Sequence, residues 1–283
     1  MITNRTYGMD ADVISYNARI VAGGNQGLTP VGMRQVNQFV IGLKKMKLWD
    51  LAANIFLLSS HQNAGAGTTV YGLKPNNDGT FLITSNGYNK IEWSTNGMNF
   101  YTFGNGDTST VVCPPLQVYR GNITYFGIGK GFGRNRAVYF ATQSTEEDGQ
   151  RAMRLWVDAL YSGTEIAYGS AADTSANAQV KAGPFNSVSY TVYYDPATTN
   201  GFLKVYKNGN LVTTTATAAM TLPVYLASGP YPAPSKLKLG GWYYPSDTKL
   251  HFFGAFYKTL SDVEHKDLNN LIKSTVGEGL ALP

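Results

Sequence analysis

The sequence predicts a mainly β protein, an antiparallel β-sandwich with a small helical module in front of it. Three observations carry that expectation. Ser187 to Tyr194 alternates without a break: Val188, Tyr190, Val192 and Tyr194 face one way, and Ser187, Ser189, Thr191 and Tyr193 the other. That is the pattern of a strand with one apolar face. Asn-Gly pairs at 96–97, 200–201 and 208–209 separate short β-prone runs, and such a pair between two β runs is the strongest local hairpin signal. The composition agrees, because 31 glycines, 19 tyrosines and a charged fraction of only 14% go with many short strands and polar turns.

At 283 residues the chain can bury a substantial core and fits one large β domain with an appendage. The expected division is a helical docking module over 1–65 and a sandwich over 66–283, with the boundary in the Gly/Ala/Thr stretch His61–Thr69. Residues 1–8 read as a polar arm. Asp10 or Asp12 caps a helix with Val13, Tyr16 and Ile20 on one side, and Gly23-Gly24 stops it. Thr29 caps a second helix with Pro30 at its first position, where a missing N–H costs nothing. Met33, Val36, Val40 and Leu43 follow at helical spacing, with Lys44, Lys45 and Lys47 at the C-terminus, where the helix dipole favours cations. Two such helices are too short to be stable alone in water, so the module needs a partner surface. Deleting residues 1–60 is expected to leave a folded β domain that no longer joins its assembly.

From about Val70 the helical period gives way to short β segments. Gln117–Ile128, Arg136–Thr142, Met153–Leu160 and Glu165–Tyr168 read as strands, and "QSTEEDGQ" as an acidic surface hairpin. Phe202–Lys207 and Leu211–Thr215 flank Asn208-Gly209, and Leu250–Tyr257 is apolar on both faces, as a covered central strand would be. Ser261 with Glu264 forms a capping box for a helix whose apolar stripe is Leu268, Leu271 and Ile272.

The order "SYTVYYDPATTNGFLKVYKNGNLVTTT", "LKLGG", "FFGAFYKTLSDVEHKDLNNLI" resembles the C-terminal half of a laminin-G-like, concanavalin A-type lectin/glucanase domain. The resemblance covers roughly 185–275 and, more loosely, 70–184. It implies a jelly-roll sandwich whose closing strand runs into a short helix, and it is nearly silent on function. The stretch "DADVISYNARIVAGG…LTPVGMRQVNQFVIGLKKMKLWDL" resembles a helical module near the start of certain tailed-bacteriophage structural proteins that carry a lectin-like sandwich behind it.

Candidate chemistry is sparse. "GIGKGFGR" at 127–134 is followed by strand-like "NRAVYF", not by the helix that a phosphate cradle needs, so it reads as a β–β loop. A glycosidase needs two convergent carboxylates, yet Glu146, Glu147 and Asp148 are consecutive in a turn, and Glu92, Asp158 and Glu165 are isolated along the chain. His61, His251 and His265 fit no zinc spacing; His251 reads as packed and His265 as solvated. Cys113 is the single cysteine, so no internal disulfide forms. A net charge of +5 spread thinly along the chain is no nucleic-acid footprint. No run of about 18 apolar residues provides a membrane span, and the N-terminus lacks the apolar core of a signal peptide.

The strongest site candidate is "GGWYYPSDTK" at 240–249. Trp242, Tyr243 and Tyr244 are consecutive, so in extended backbone at least one ring is exposed, beside the polar Asp247. An exposed ring with polar neighbours suits either a sugar's apolar face or a protein interface. The expected function is structural: a bacteriophage virion protein serving in capsid decoration, a fibre or the tail, made in the host cytoplasm and displaying a lectin-like sandwich. The alternative is a carbohydrate-binding adhesin for host surface glycans, and the third reading, disfavoured for want of paired carboxylates, is a glycan hydrolase. The chain is expected not to be an enzyme, to need no cofactor or metal, and to be a homo-oligomer that contacts other virion proteins through its N-terminal module.

Overall fold

Phe252 and Phe253 are adjacent, both buried, and belong to two different cores; the fold is the arrangement that satisfies both. The structure is a computed structural model. It describes residues 8–63, 67–84, 87–104, 107–116, 122–131, 136–143, 153–158, 164–167, 175–178, 185–195, 200–216, 235–242 and 246–283. The elements run α1 (Ala11–Ala22), α2 (Pro30–Lys45), β1 (Ala52–Leu57), α3 (Ser60–Asn63), β2 (Thr69–Val70), β3 (Gly79–Ile83), β4 (Lys90–Ser94), β5 (Gly97–Thr102), β6 (Thr108–Leu116) and β7 (Asn122–Gly131). They continue as β8 (Arg136–Gln143), β9 (Met153–Asp158), β10 (Thr164–Ala167), β11 (Ser175–Ala178), β12 (Asn186–Asp195), β13 (Asn200–Lys207), β14 (Asn210–Ala216), β15 (Ser235–Trp242), β16 (Ser246–Phe256) and α4 (Asp262–Ser274). Among the described residues, no helix is long and apolar enough to cross a membrane.

The strands form two antiparallel sheets. The first is ordered β14-β13-β12-β7-β16-β5-β4, with β1 also paired to β16; the second is β11-β10-β9-β8-β15-β6-β3-β2. Between them lies a core that includes Phe100, Tyr125, Val188, Tyr190, Leu203, Val205, Leu237, Leu239, Leu250 and Phe253. The Tyr125 and Tyr190 rings stack at 4.9 Å across paired strands. The alternation read from the sequence holds at Val188 and Tyr190, which reach this core. This is the antiparallel sandwich expected.

The outer face of the first sheet is covered by a third layer of helices. Val13, Tyr16 and Ile20 of α1 and Val36, Phe39, Val40 and Leu43 of α2 pack with Phe126, Ile128, Phe252 and Phe256 from the sheet, and with Leu268 and Ile272 of α4. Phe252 sits edge-on to Phe39 at 5.6 Å and to Phe126 at 6.0 Å. A shift in register between Leu250 and Phe252 lets β16 present Leu250 and Phe253 inward and Phe252 outward, as a β-bulge does. The helices begin as the sequence indicates. Asp10 accepts from the Asp12 N–H, Thr29 accepts from the Gly32 N–H, and Ser261 and Glu264 form a reciprocal capping box.

The structure alters three expectations. The division near residues 61–69 does not separate two cores: β1, inside the supposed module, pairs with β16 from Ala52↔Phe256 to Leu57↔Phe252. Buried Asn63 clamps the junction, donating to the Leu57 and Tyr71 carbonyls and accepting from the Tyr71 N–H. The partner surface those short helices require is therefore the chain's own sheet. Second, Gly127–Gly131 of the supposed glycine-rich loop is the end of β7, where glycines fit a covered strand; 132–135 lie outside the described residues, as does the acidic hairpin at 144–150. Third, His265 is buried rather than solvated. It stacks on Tyr206 with ring centroids 3.6 Å apart, and its nitrogens meet Ser189 Oγ at 2.9 Å and Thr191 Oγ1 at 3.1 Å. The Ser/Thr face of β12 reads as solvated from alternation alone, but α4 covers it.

Two predictions follow from this layering. Removing residues 1–59 takes β1 from β16 and uncovers Phe126, Phe252 and Phe256. The expected product is aggregated or molten, with dye-binding apolar surface and no near-ultraviolet circular dichroism; a soluble, cooperatively folding fragment would show that the helical layer is dispensable. The second concerns acid. Burial pushes the His265 pKa from an ordinary 6.5 down to about 3, and burial also lowers that of His251. Between about 6.5 and 3 the unfolded chain takes up a proton at His265 that the folded chain refuses. The stabilising contribution is complete above that window and is lost as pH falls through it, by at most about 1.4 kcal/mol per pH unit. Denaturant midpoints should therefore fall on acidification from pH 7, less steeply in His265→Asn.

Candidate functional site

The helical layer covers only part of the first sheet's outer face. Beyond the β16 bulge, towards β5 and β4, no described helix covers the face, and its side chains are fixed by register. Lys90, Tyr101 and Asp247 lie on one rung across β4, β5 and β16, and Glu92, Asn99 and Lys249 lie on the next. The intervening Ile91, Trp93, Met98, Phe100 and Leu250 point into the sandwich core, so these rungs must point outward. The β4–β5 hairpin turns at Asn96-Gly97, which supplies the positive φ the turn needs at Gly97.

Three aromatic rings gather here. Tyr88 and Phe103 are 36% and 54% exposed. Their centroids are 5.5 Å apart, and Tyr88 lies edge-on to Tyr101 at 6.4 Å. The Lys90 ammonium sits 4.6 Å above the Tyr101 ring, within range of a cation–π attraction. The Tyr88 hydroxyl donates to the buried Asp247 carboxylate at 3.3 and 3.4 Å. Buried Asn89 holds the two exposed rings in place: its amide donates to Thr84 O and Oγ1, and its carbonyl accepts from the Phe103 N–H at 2.9 Å. Thr84 is in turn tied to Thr108, whose N–H donates to Thr84 Oγ1 at 2.7 Å. Asp107 caps its own turn by accepting from the Gly104 N–H.

Charge on the face is locally balanced. Lys90 and Glu92 are paired at 2.8 Å. That hydrogen bond holds the Glu92 carboxyl below its ordinary range and the Lys90 ammonium above its own. Burial, and then the Glu92 charge, raise the Tyr101 phenol. Among the described residues, no group of three or more His, Cys, Asp or Glu comes together to hold a metal ion. Cys113 is buried in the core, and burial pushes its thiol well above the ordinary value.

Of the sequence-predicted residues, Asp247 belongs to this face. Trp242 ends β15, paired with Thr108, and so lies at the same end of the sandwich as Thr84 and Thr108. Gly240, two residues before it, has φ +88, and a side chain there would run into the Phe100 ring. Tyr243 and Tyr244 lie outside the described residues. Sequence reasoning missed Tyr88, Tyr101 and Phe103. A period-2 reading of Gly97–Phe103 finds Asn99, Tyr101 and Phe103 on one side, opposite Met98 and Phe100. Glu92 and Asp247, far apart in the chain, share this face, whereas Asp158 and Glu165 belong to β9 and β10 in the second sheet.

No family model and no curated protein matches the sequence. Solved structures do. The chain is similar to Trypanosoma rangeli sialidase at 15% identity with a TM-score of 0.56, covering 81% of this chain and 34% of that one. The same sialidase in complex with the inhibitor DANA matches at 14% identity and TM-score 0.54, over 86% of this chain and 39% of that one. A mutant of HCR/D, a clostridial toxin receptor-binding domain, matches at 12% identity and TM-score 0.52, over 78% and 51%. The chain thus spans about a third of the sialidase and half of HCR/D. At these identities the likeness shows the fold, a lectin-like antiparallel sandwich. The expectation that the chain is not an enzyme is corrected: sialidases, which are enzymes, are among the solved structures it resembles over four-fifths of its length, so the fold gives no ground for excluding catalysis. That expectation followed carboxylates along single strands, and the fold brings Glu92 and Asp247 to one face from strands distant in sequence.

Proposed function

We propose that the open half of the first sheet's outer face is a glycan-recognition surface. The observation that carries this reading is the set of Tyr88, Tyr101 and Phe103 rings held beside Lys90, Glu92 and Asp247 on adjoining rungs. A sugar ring has apolar C–H faces and hydroxyl edges, so it is recognised by aromatic rings flanked by fixed hydrogen-bonding groups. Here the rings are oriented by a buried amide, so little ordering is left for binding to cost. The named sialidases and the toxin receptor-binding domain support it as proteins of the same fold.

The test is a glycan array followed by titration of the strongest binder with wild type, Phe103→Ala and Tyr101→Ala, with free-sugar release measured in parallel. Phe103→Ala should leave the melting temperature nearly unchanged and weaken binding by about 2 kcal/mol, as loss of an interface anchor does. Binding that survives both substitutions would place the site elsewhere.

A second reading makes the sandwich a component of a bacteriophage virion, docked through its helical layer and present in several copies. The resemblance of residues 10–51 supports it, as do Ile14, Val21 and Val31, which stand about half exposed on α1 and α2. Ile14→Ser with Val31→Ser should then leave the protein folded and abolish its incorporation into particles, read by mass spectrometry of purified virions. Normal incorporation would remove this reading and leave the first untouched.

A further inference from the structure

Two residues along β16 from Asp247, on the same outer face, Lys249 stands directly opposite Lys130 of β7. Side chains directly opposed across an antiparallel pair have Cβ atoms about 4.5–5.5 Å apart, and like charges there destabilise the pair. Among the described residues, Lys44, Lys90, Lys204 and Lys258 each meet a carboxylate. Lys130 and Lys249 do not. The Lys249 ammonium donates to Asn96 Oδ1 at 3.1 Å, and the Lys130 ammonium lies 5.0 Å from the Phe185 ring centroid. The surroundings are fixed. Phe185 packs edge-on to buried His251 at 6.3 Å, and the His251 ring nitrogens meet the carbonyls of Asn96 at 3.2 Å and Val276 at 2.6 Å. His251 thus holds the Asn96 backbone whose side chain meets Lys249. Burial first, and the Lys130 charge second, lower the Lys249 pKa, in keeping with two like charges facing each other on one rung.

We propose that the Lys130–Lys249 rung is an anion-binding site that takes a carboxylate or sulfate substituent of a glycan lying on the adjoining Tyr101 rung. The ligand class rests on the glycan reading above; the anion site rests on the rung itself. Two residues of strand put the rungs about 6.8 Å apart, within the reach of one disaccharide. Tyr88, Tyr101 and Phe103 take the sugar's C–H face, and the two ammonium groups, with three donors each, take the charged substituent. The open face is then a two-part site, apolar at β4–β5 and cationic at β16–β7.

The experiment titrates wild type, Lys130→Gln and Lys249→Gln with two oligosaccharides identical except for one carboxylate or sulfate group, and separately with inorganic sulfate followed by NMR. Glutamine keeps part of the stem and a donor, and it removes the repulsion, so melting temperatures should be unchanged or higher. Wild type should prefer the acidic oligosaccharide by about tenfold, the worth of charge-assisted hydrogen bonds. Either substitution should abolish that preference while leaving the neutral oligosaccharide's affinity as it was. A preference retained in both variants overturns the proposal, as does equal binding of the two oligosaccharides by wild type. Failure of both oligosaccharides to bind defeats the glycan reading. In that event, sulfate-induced shifts at Lys130 and Lys249, lost in the variants, uphold the anion site alone, and their absence overturns it too.

Discussion

The whole arrangement depends on β16 being apolar on both sides. Leu250, Phe253 and Ala255 enter the core between the sheets, while Phe252 and Phe256 enter the core beneath the helices. A strand in an antiparallel sheet commonly has one wet face; this one has none over its second half. Fully burying a phenylalanine side chain is worth about 1.5–3 kcal/mol, so Phe252 and Phe256 cannot be left to solvent cheaply. The helical layer, β1 and the C-terminal residues Val276, Leu280 and Leu282 all serve that one requirement. Where β16 becomes polar, at Asp247 and Lys249, the cover stops and the open face begins.

Much of this was legible in the sequence wherever the physics is local. Caps at Asp10, Thr29 and Ser261, the Asn96-Gly97 and Asn208-Gly209 hairpins, the alternation of β12 and the doubly apolar β16 are each decided by neighbours a few residues apart. What escaped depends on which element covers which. Ser187, Ser189 and Thr191 form a polar stripe that reads as solvated, yet α4 seals it with His265. The helices of residues 11–45 need a partner, and nothing in their own periodicity says that the partner is the outer face of a sheet completed only at residue 256.

The candidate surface was legible in part, for the same reason. Trp242–Tyr244 draws attention because three aromatics are consecutive, whereas Tyr88, Tyr101 and Phe103 are spread over two turns and a strand. They meet because the β4–β5–β16 register sets Tyr101 on this face and Asn89 ties Thr84 to Phe103. Lys130 and Lys249 are more distant still: each is unremarkable in its own strand, and only the β7–β16 register makes them a pair. Charge pairing across sheets is a property of register, which alternation constrains to one face without choosing the partner.

The pairing of β1 with β16 also bears on how the chain reaches this state. β16 is synthesised after every strand it contacts, yet it lies in the interior of its sheet, between β7 on one side and β1 and β5 on the other. During synthesis α1, α2 and β1 emerge before β16 and wait with their apolar faces unmatched, and β7 and β5 present open edges to each other across a missing strand. Contacts of such long sequence separation form slowly, and unpaired edges and uncovered apolar faces are what aggregation exploits. Assembly is therefore a late insertion of β16 that completes both cores together.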